Sequence, residues 1–274
     1  MTGGSFALGS WRVGRIGYGA MQLAGDEAPL VLRAAVDSGV NHIDTAQYYG
    51  PRVVNELIRE ALHPYPSDLA IVSKVAARPD TTGAALREGI DDNLATLDIS
   101  RLAAVNLRIM DPSAPPDERF DAQLAALIEA RDEGLIDGIG LSNISRRHLV
   151  KAIDQTEIVC VQNLFNLADR RSLDVLTECA ARNIAFVPFC PLGWPGDVRN
   201  QILASPVLAA QAERLSATPA QVALSWLLDL APNILLIPGT RTRAHLTENL
   251  HAADIQLDDA ARADLTAYGR HITR

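Results

Sequence analysis

The chain has 274 residues, of which 48% are hydrophobic and 21% are charged, a composition typical of a globular protein with a large buried core. Its net charge of −8 repels nucleic acid and anionic lipid, so we expect neither as a partner. No signal-peptide pattern and no apolar stretch of about 18 residues is present, which predicts a cytoplasmic protein without a membrane span.

The cysteines and histidines predict neither a disulfide framework nor a metal site. Cys160, Cys179 and Cys190 are odd in number, widely spaced and set in apolar surroundings, so we expect reduced thiols in the core. The six histidines form no HxH or HExxH pair, and we expect no bound metal.

Short apolar segments alternate about eight times with longer segments of helical periodicity. The predicted strands are 16–20, 41–45, 69–75, 102–109, 138–142, 158–163, 185–189 and 234–238. The predicted helices are 28–38, 53–62, 82–97, 119–132, 146–153, 172–182, 219–228 and 243–252, and 190–205 is predicted to be a long loop.

Several helices carry signals for their ends. Thr218 precedes a proline at the first helical position, and Ser145 and Thr242 have side chains suited to N-caps. Gly39 and Gly134 stand where helix C-caps are expected.

Eight strand–helix units without a linker predict one α/β domain over residues 1–274, a (β/α)8 TIM barrel. A doubly wound open sheet is the alternative. That fold would need a GxGxxG motif after the first strand, and the segment GRIGYGAMQ does not provide it.

Polar side chains follow the predicted strands at their carboxyl ends, where a barrel builds its site. Among them are Asp44, Tyr48, Tyr49 and Lys74, in NHIDTAQYYG and IVSKV. A neighbouring ammonium stabilises a phenolate and lowers the tyrosine pKa, and a carboxylate holds the ammonium in place. The chain has only two lysines among 25 basic residues, and one of them stands here. The alternative is that Lys74 is a strand-end charge paired with Asp44, and the pattern alone does not choose between the adjacent tyrosines.

These segments resemble the aldo-keto reductase family. DTAQYYG is similar to the family's DTAxxYG, VSKV supplies the lysine, and the similarity continues through IPGTRTRAHLTENL. The resemblance implies a barrel with an N-terminal hairpin and a C-terminal helix, an NADP(H) cofactor and hydride transfer to a carbonyl. It assigns Tyr49 as general acid, with Lys74 and Asp44 tuning it.

The resemblance also implies an extended cofactor site along the strand ends. Ser142, Asn143 and Gln162 would hold the nicotinamide carboxamide, and Phe189 stands where the family commonly stacks a tyrosine on the ring. Phe189 as a core residue is the alternative. The implied cofactor-binding residues are Ala20, Met21, Asp44, Ser142, Asn143, Gln162, Phe189, Pro191, Leu192, Gly239, Thr240, Arg241, His245, Glu248 and Asn249, with Gly193 and Arg199 near the pyrophosphate.

Two arginines on one loop predict a preference for NADPH over NADH. Arg241 and Arg243 can bind the 2′-phosphate as guanidinium forks, at a helix N-terminus that also favours anions. In a chain with 23 arginines, a solvated pair is the alternative interpretation.

The fourth strand departs from the family, because NLR stands where QLH is usual and puts Arg108 in the histidine position. In the first interpretation Arg108 is catalytic and engages the carbonyl or an adjacent acidic oxygen, with Asn106 assisting. NLR resembles a bacterial branch that includes pyridoxal reductases, so pyridoxal is the candidate substrate. In the second, the site turns over poorly and the protein is an NADPH-binding redox sensor or partner subunit. We expect a monomer that binds a small carbonyl substrate. Trp194 either covers the site or packs its own loop down, and we favour packing.

Overall fold

The computed structural model describes residues 3–268, which form a curled parallel sheet surrounded by helices. Seven strands pair in chain order, each parallel to the next. The strands are β1 (Ser5–Leu8), β2 (Trp11–Gly14), β3 (Tyr18–Gly19), β4 (His42–Asp44), β5 (Ala70–Ala77), β6 (Ala104–Ile109), β7 (Ile139–Ser142), β8 (Cys160–Leu164) and β9 (Ala185–Phe189). The helices are α1 (Ala28–Asp37), α2 (Val53–Leu62), α3 (Gly83–Leu97), α4 (Glu118–Asp132), α5 (Arg146–Ile153), α6 (Leu173–Ala181), α7 (Asp197–Leu203), α8 (Pro206–Arg214), α9 (Pro219–Leu230), α10 (Arg243–His251) and α11 (Asp259–Tyr268).

The predicted eighth strand, 234–238, closes the barrel with single parallel bridges rather than a full ladder. Ile234 bridges Phe186 on one side, and Leu236 bridges Ile16 on the other. The Leu236 carbonyl accepts from the Gly17 N–H at 2.8 Å. The segment ends in Pro238, which has no N–H to donate, so regular pairing stops there. The (β/α)8 arrangement predicted from the alternation is confirmed.

The hairpin β1–β2 and the helix α11 flank the barrel, as expected. Leu8 and Val13 of the hairpin pack in one buried cluster with Ala70, Ala103 and Val159, which stand at the starts of three barrel strands. The hairpin therefore covers the amino-terminal end of the barrel and leaves the carboxyl ends of the strands to build a site.

The prediction of a long loop over 190–205 is wrong, because this segment contains α7 and leads directly into α8. Gly193 and Gly196 adopt positive φ angles and turn the chain, and Pro206 stands at the start of α8. Buried Ile202 and Leu208 anchor the two helices on the core. The density of glycine and proline marks the helix ends rather than a continuous loop.

Most of the predicted helix ends are confirmed. Thr218 forms a capping box, the Thr242 hydroxyl accepts from the His245 N–H, and Gly39 and Gly134 have positive φ. Ser145 differs: its hydroxyl makes no backbone cap and instead contacts His148 Nδ1 at 2.8 Å.

The three cysteines are free thiols. Between residues 3 and 268 no helix is long and apolar enough to cross a membrane.

Candidate active site

A cavity of about 230 Å³ opens at the carboxyl ends of the barrel strands. The cavity is lined by residues at the ends of β3, β4, β5, β6, β8 and β9 and in the loops that follow them. Ile237 and Gly239, in and after the segment 234–238 that closes the barrel, complete the lining. The lining residues are Gly19, Met21, Gln22, Asp44, Tyr48, Tyr49, Lys74, Arg108, Gln162, Phe189, Cys190, Pro191, Trp194, Arg199, Ile237 and Gly239.

A buried ion pair forms the floor of this cavity. Lys74 Nζ lies 2.7 Å from Asp44 Oδ2 and also donates to the Thr45 carbonyl at 2.9 Å. Gln162 Nε2 donates to the other carboxylate oxygen, Asp44 Oδ1, at 2.7 Å. Both oxygens of the carboxylate are thus engaged, which holds the ammonium in one place.

The Lys74 ammonium stays charged in this setting. Burial lowers the pKa of Lys74, but attraction to Asp44, Tyr49 and Tyr48 exceeds that effect, and the net pKa is raised. At neutral pH a permanent cation therefore faces the tyrosines.

Tyr49 lies against this ammonium, with its ring centroid 4.9 Å from Lys74 Nζ. The expectation that Lys74 lowers the tyrosine pKa toward neutrality is wrong in its net direction. Burial raises the pKa of Tyr49 above its ordinary value, and Lys74 and Arg108 offset only part of that rise. Tyr49 consequently holds its proton at neutral pH, and Lys74 stabilises the phenolate that remains after the proton leaves.

Tyr48 also lines the cavity, with its ring edge to face against Tyr49 at 5.3 Å between centroids. Burial raises the pKa of Tyr48 to about 12. The contact with the Lys74 ammonium distinguishes the two tyrosines, because Lys74 Nζ lies over the ring of Tyr49 in a cation–π geometry.

Arg108 lines the same cavity as these tyrosines. Its NH1 group donates to Ser142 Oγ at 3.2 Å, and Cζ stands 5.2 Å from the centroid of the Phe189 ring. The ring of Trp194 meets Phe189 edge to face at 6.1 Å. Trp194 is 44% exposed and lines the cavity while its ring contacts Phe189, so the structure is compatible with both interpretations of this residue.

The three predicted carboxamide-binding residues meet at the ends of β7 and β8. Asn143 adopts a positive φ of 54°, its N–H donates to the Gln162 carbonyl and its side chain donates to the Ile109 carbonyl. Ser142 Oγ is buried beside Arg108. Gln162 Oε1 is buried and has no hydrogen-bond partner within residues 3–268.

Residues 7–269 match the sequence model of the aldo/keto reductase family. The chain belongs to the aldo/keto reductase family. It is 43% identical to pyridoxine 4-dehydrogenase of Escherichia coli K12, over 98% of this chain and 100% of that protein. It is 36% identical to an uncharacterized oxidoreductase of Schizosaccharomyces pombe, over 97% of this chain and 90% of that one.

Solved aldo-keto reductases share the fold. One from Klebsiella pneumoniae in complex with NADPH has a TM-score of 0.87 at 25% identity, covering 98% of this chain and 96% of that one. A thermostable aldo-keto reductase in complex with the inhibitor epalrestat has a TM-score of 0.84 at 30% identity, covering 97% and 99% of the two chains.

In this aldo/keto reductase, one of the residues that the resemblance places around the adenosine, Gly239, lines the cavity, and the other five lie outside its lining. The Arg241 side chain donates to the carbonyl of Gln22, a lining residue, at 2.7 Å. The Thr240 carbonyl accepts from the Tyr18 hydroxyl at 2.6 Å. The Glu248 carboxylate, on α10, accepts from the hydroxyl of Thr218, the N-cap residue of α9. The remaining members of this set are exposed His245 and buried Asn249 on α10.

Ten of the predicted site residues line the cavity itself. Of the others, Ala20 is buried beside it and Leu192 packs partly buried against the core. The ten are Met21, Asp44, Tyr49, Lys74, Arg108, Gln162, Phe189, Pro191, Arg199 and Gly239.

Four lining residues were not predicted from the sequence as site residues: Gly19, Gln22, Cys190 and Ile237. A Cβ atom on Gly19 would lie 2.4 Å from the Ile237 carbonyl oxygen, so a glycine is required where the first strand meets the closing segment. Burial raises the pKa of Cys190 to about 11, which makes it a neutral thiol in the wall. The one signal that could have identified Cys190 is its position directly after the predicted strand 185–189.

Proposed function

We propose that this aldo/keto reductase reduces an aldehyde or ketone to an alcohol with NADPH, and that pyridoxal is its substrate. One observation carries the proposal. Tyr49 stands in the cavity against the Lys74 ammonium, and Asp44 fixes that ammonium at 2.7 Å. This is the arrangement that a proton donor to a carbonyl oxygen requires.

The proton moves from Tyr49 Oη to the substrate oxygen as negative charge develops there. Because burial raises the pKa of Tyr49, the donor is protonated before the reaction. The Lys74 ammonium then stabilises the phenolate, and the carboxylate of Asp44 keeps the ammonium from moving away. The bound cofactor supplies the hydride.

Three arginines in and beside the cavity favour the binding of an anionic cofactor. Arg108 and Arg199 line the cavity and Arg241 lies at its edge, and none of them has a carboxylate within 4.0 Å in the described part of the chain. On the surface, by contrast, Arg214 and Arg262 pair with aspartates. Unpaired guanidinium groups in a chain of charge −8 favour a ligand that brings its own phosphates.

Two buried polar atoms fit the same ligand. Gln162 Oε1 and Arg199 Nε lack hydrogen-bond partners within residues 3–268, and an unpaired buried polar atom costs about 1–3 kcal/mol. Ser142, Asn143 and Gln162 would hold the nicotinamide carboxamide, Arg199 would bind the pyrophosphate, and Arg241 with Arg243 would bind the 2′-phosphate.

The rim favours a flat aromatic substrate. Met21, Tyr48 and Trp194 line the cavity, and each is between 37% and 44% exposed. Their apolar surfaces can enclose a ring, while the Arg108 guanidinium can engage an acidic oxygen beside the aldehyde, as pyridoxal presents. The 43% identity to pyridoxine 4-dehydrogenase supports the same choice.

The test follows the absorbance of NADPH with pyridoxal, small aromatic aldehydes and methylglyoxal. We expect consumption with the aromatic aldehydes, a higher kcat/KM for pyridoxal than for methylglyoxal, and loss of activity in Tyr49→Phe. Tight NADPH binding without consumption across the panel would overturn the proposal and favour a redox sensor or partner subunit. Turnover of methylglyoxal in preference to pyridoxal would overturn the substrate assignment alone.

A further inference from the structure

Arg108 places a positive charge beside the two groups that the proposed function assigns to the nicotinamide ring. Its NH1 donates to Ser142 Oγ at 3.2 Å, and its Cζ lies 5.2 Å from the Phe189 centroid. Ser142 would hold the carboxamide and Phe189 would stack on the ring. The guanidinium therefore contacts both of the groups that would hold the ring.

The other charges facing this place do not cancel the Arg108 charge. Lys74 and Asp44 form a closed pair at 2.7 Å, so together they add little net charge. Arg199 lines the same cavity and is also a cation. In the described part of the chain, no carboxylate lies within 4.0 Å of the Arg108 guanidinium. The nicotinamide end of the site is consequently positive.

The oxidised and reduced cofactors differ in charge at this ring alone. The nicotinamide ring of NADP+ carries a positive charge and that of NADPH is neutral, whereas the phosphates are common to both. A fixed cation beside the ring repels only the oxidised form.

We propose that Arg108 is a specificity-determining residue for the redox state of the cofactor, and that it weakens binding of NADP+ relative to NADPH. The inference rests on the proposed function, because it needs the nicotinamide at Ser142 and Phe189. Its consequence is directional: NADP+ leaves readily after carbonyl reduction, and the protein works better as a reductase than as an alcohol dehydrogenase.

A guanidinium makes this discrimination independent of pH. A guanidinium stays protonated wherever a protein is folded, whereas a histidine side chain at the same position would lose its charge as pH rises through neutrality. Arg108 therefore supplies a constant repulsion rather than a titratable one.

The experiment measures Kd for NADPH and for NADP+ by fluorescence titration, with the full chain and without substrate. Arg108→Met removes the charge and keeps an unbranched side chain, and Arg108→Lys keeps the charge. We expect the ratio of Kd for NADP+ to Kd for NADPH to fall about tenfold in Arg108→Met and to change less than about twofold in Arg108→Lys. In Arg108→His, the ratio of Kd for NADP+ to Kd for NADPH should be as low as in Arg108→Met at pH 8. At pH 5.5 it should rise part of the way back to the wild-type ratio.

Arg241→Met is the matched control, since it removes a guanidinium at the phosphate end. It should weaken both forms by the same factor and leave the ratio unchanged. The inference is overturned if Arg108→Met leaves the wild-type ratio intact, or if Arg108→Met and Arg108→Lys lower it equally, which would mark Arg108 as a packing residue. Absence of binding of either cofactor to the wild-type protein would instead overturn the proposed function.

Discussion

Two groups of charges meet at the mouth of the barrel, and they are organised in opposite ways. In the proton-donating centre, the Lys74 ammonium is bonded to Asp44 and to a backbone carbonyl, and Gln162 engages the remaining carboxylate oxygen. In the arginine set (Arg108, Arg199 and Arg241), no guanidinium has a carboxylate within 4.0 Å in the described part of the chain.

The difference indicates which charges serve the protein and which serve a ligand. A paired charge is fixed in position and sets the protonation of its neighbour, here Tyr49, without attracting anions from solvent. An unpaired guanidinium near a cavity retains its capacity for phosphate or another acidic oxygen. Removing a member of the first group should therefore impair the chemical step or the fold, and removing a member of the second should alter ligand preference.

Tyr49→Phe should have the largest effect on catalysis. Removing the proton donor should lower kcat/KM for aldehyde reduction about 1000-fold, while the Kd for NADPH stays within about twofold. Tyr48→Phe is the matched control in the adjacent position, and we expect a loss of less than about tenfold. If Tyr48→Phe lost more activity than Tyr49→Phe, the assignment of the proton donor would be reversed.

Lys74→Met should show that the first group also stabilises the fold. The substitution leaves the Asp44 carboxylate buried without its cation, and we expect the free energy of unfolding to fall by about 3 kcal/mol, measured by urea denaturation. Lys151 is the matched control, because it is the other lysine of the chain and pairs with Asp121 on the surface at 2.8 Å. Lys151→Met should cost less than about 1 kcal/mol.

Adding Asp44→Asn to Lys74→Met should recover part of that loss, since no charge is then left buried. Equal costs for the two lysine substitutions would contradict the view that the buried pair is the stabilising one.

Much of this arrangement could be predicted from sequence, because the barrel brings the carboxyl ends of its strands together. Asp44, Lys74 and Gln162 lie on three different strands, and their meeting required only the strand positions and the topology. The bridge-only pairing of 234–238 was not predictable in this way, because an apolar segment does not show how many ladder bonds it makes. The two helices after Gly196 were missed because the packing of Ile202 and Leu208 on the core is a tertiary contact.

Electrostatic outcomes were the least predictable part. The sequence placed a cation near Tyr49 but contained no measure of burial depth, and burial decides the direction of the pKa shift. The contact of Arg108 with the Phe189 ring depends on side-chain conformations across two non-adjacent strands, for which no sequence pattern exists.

Arg241→Met should change cofactor preference. We expect kcat/KM with NADPH to fall about tenfold and kcat/KM with NADH to stay within about twofold, because only NADPH carries the 2′-phosphate. The same rate assay with both cofactors measures it. Arg243→Met tests whether the neighbouring guanidinium shares the phosphate. Equal losses with NADPH and NADH would place Arg241 outside the phosphate site and leave it as a loop residue bonded to the Gln22 carbonyl.

The pH dependence of kcat/KM for reduction should be the smallest of these effects. It tests whether Tyr49 stays protonated beside the paired charges of Lys74 and Asp44. Burial raises the pKa of Tyr49 above its ordinary value of about 10, and reduction uses the protonated form. From about pH 6 to 9, kcat/KM for reduction should therefore vary less than about twofold, and it should fall only as pH rises past the raised pKa. Oxidation of the alcohol needs the phenolate and should rise with pH over the same range. A reduction rate that fell between pH 7 and 9 would mean that the Lys74 ammonium outweighs burial, and that the paired group lowers the pKa after all.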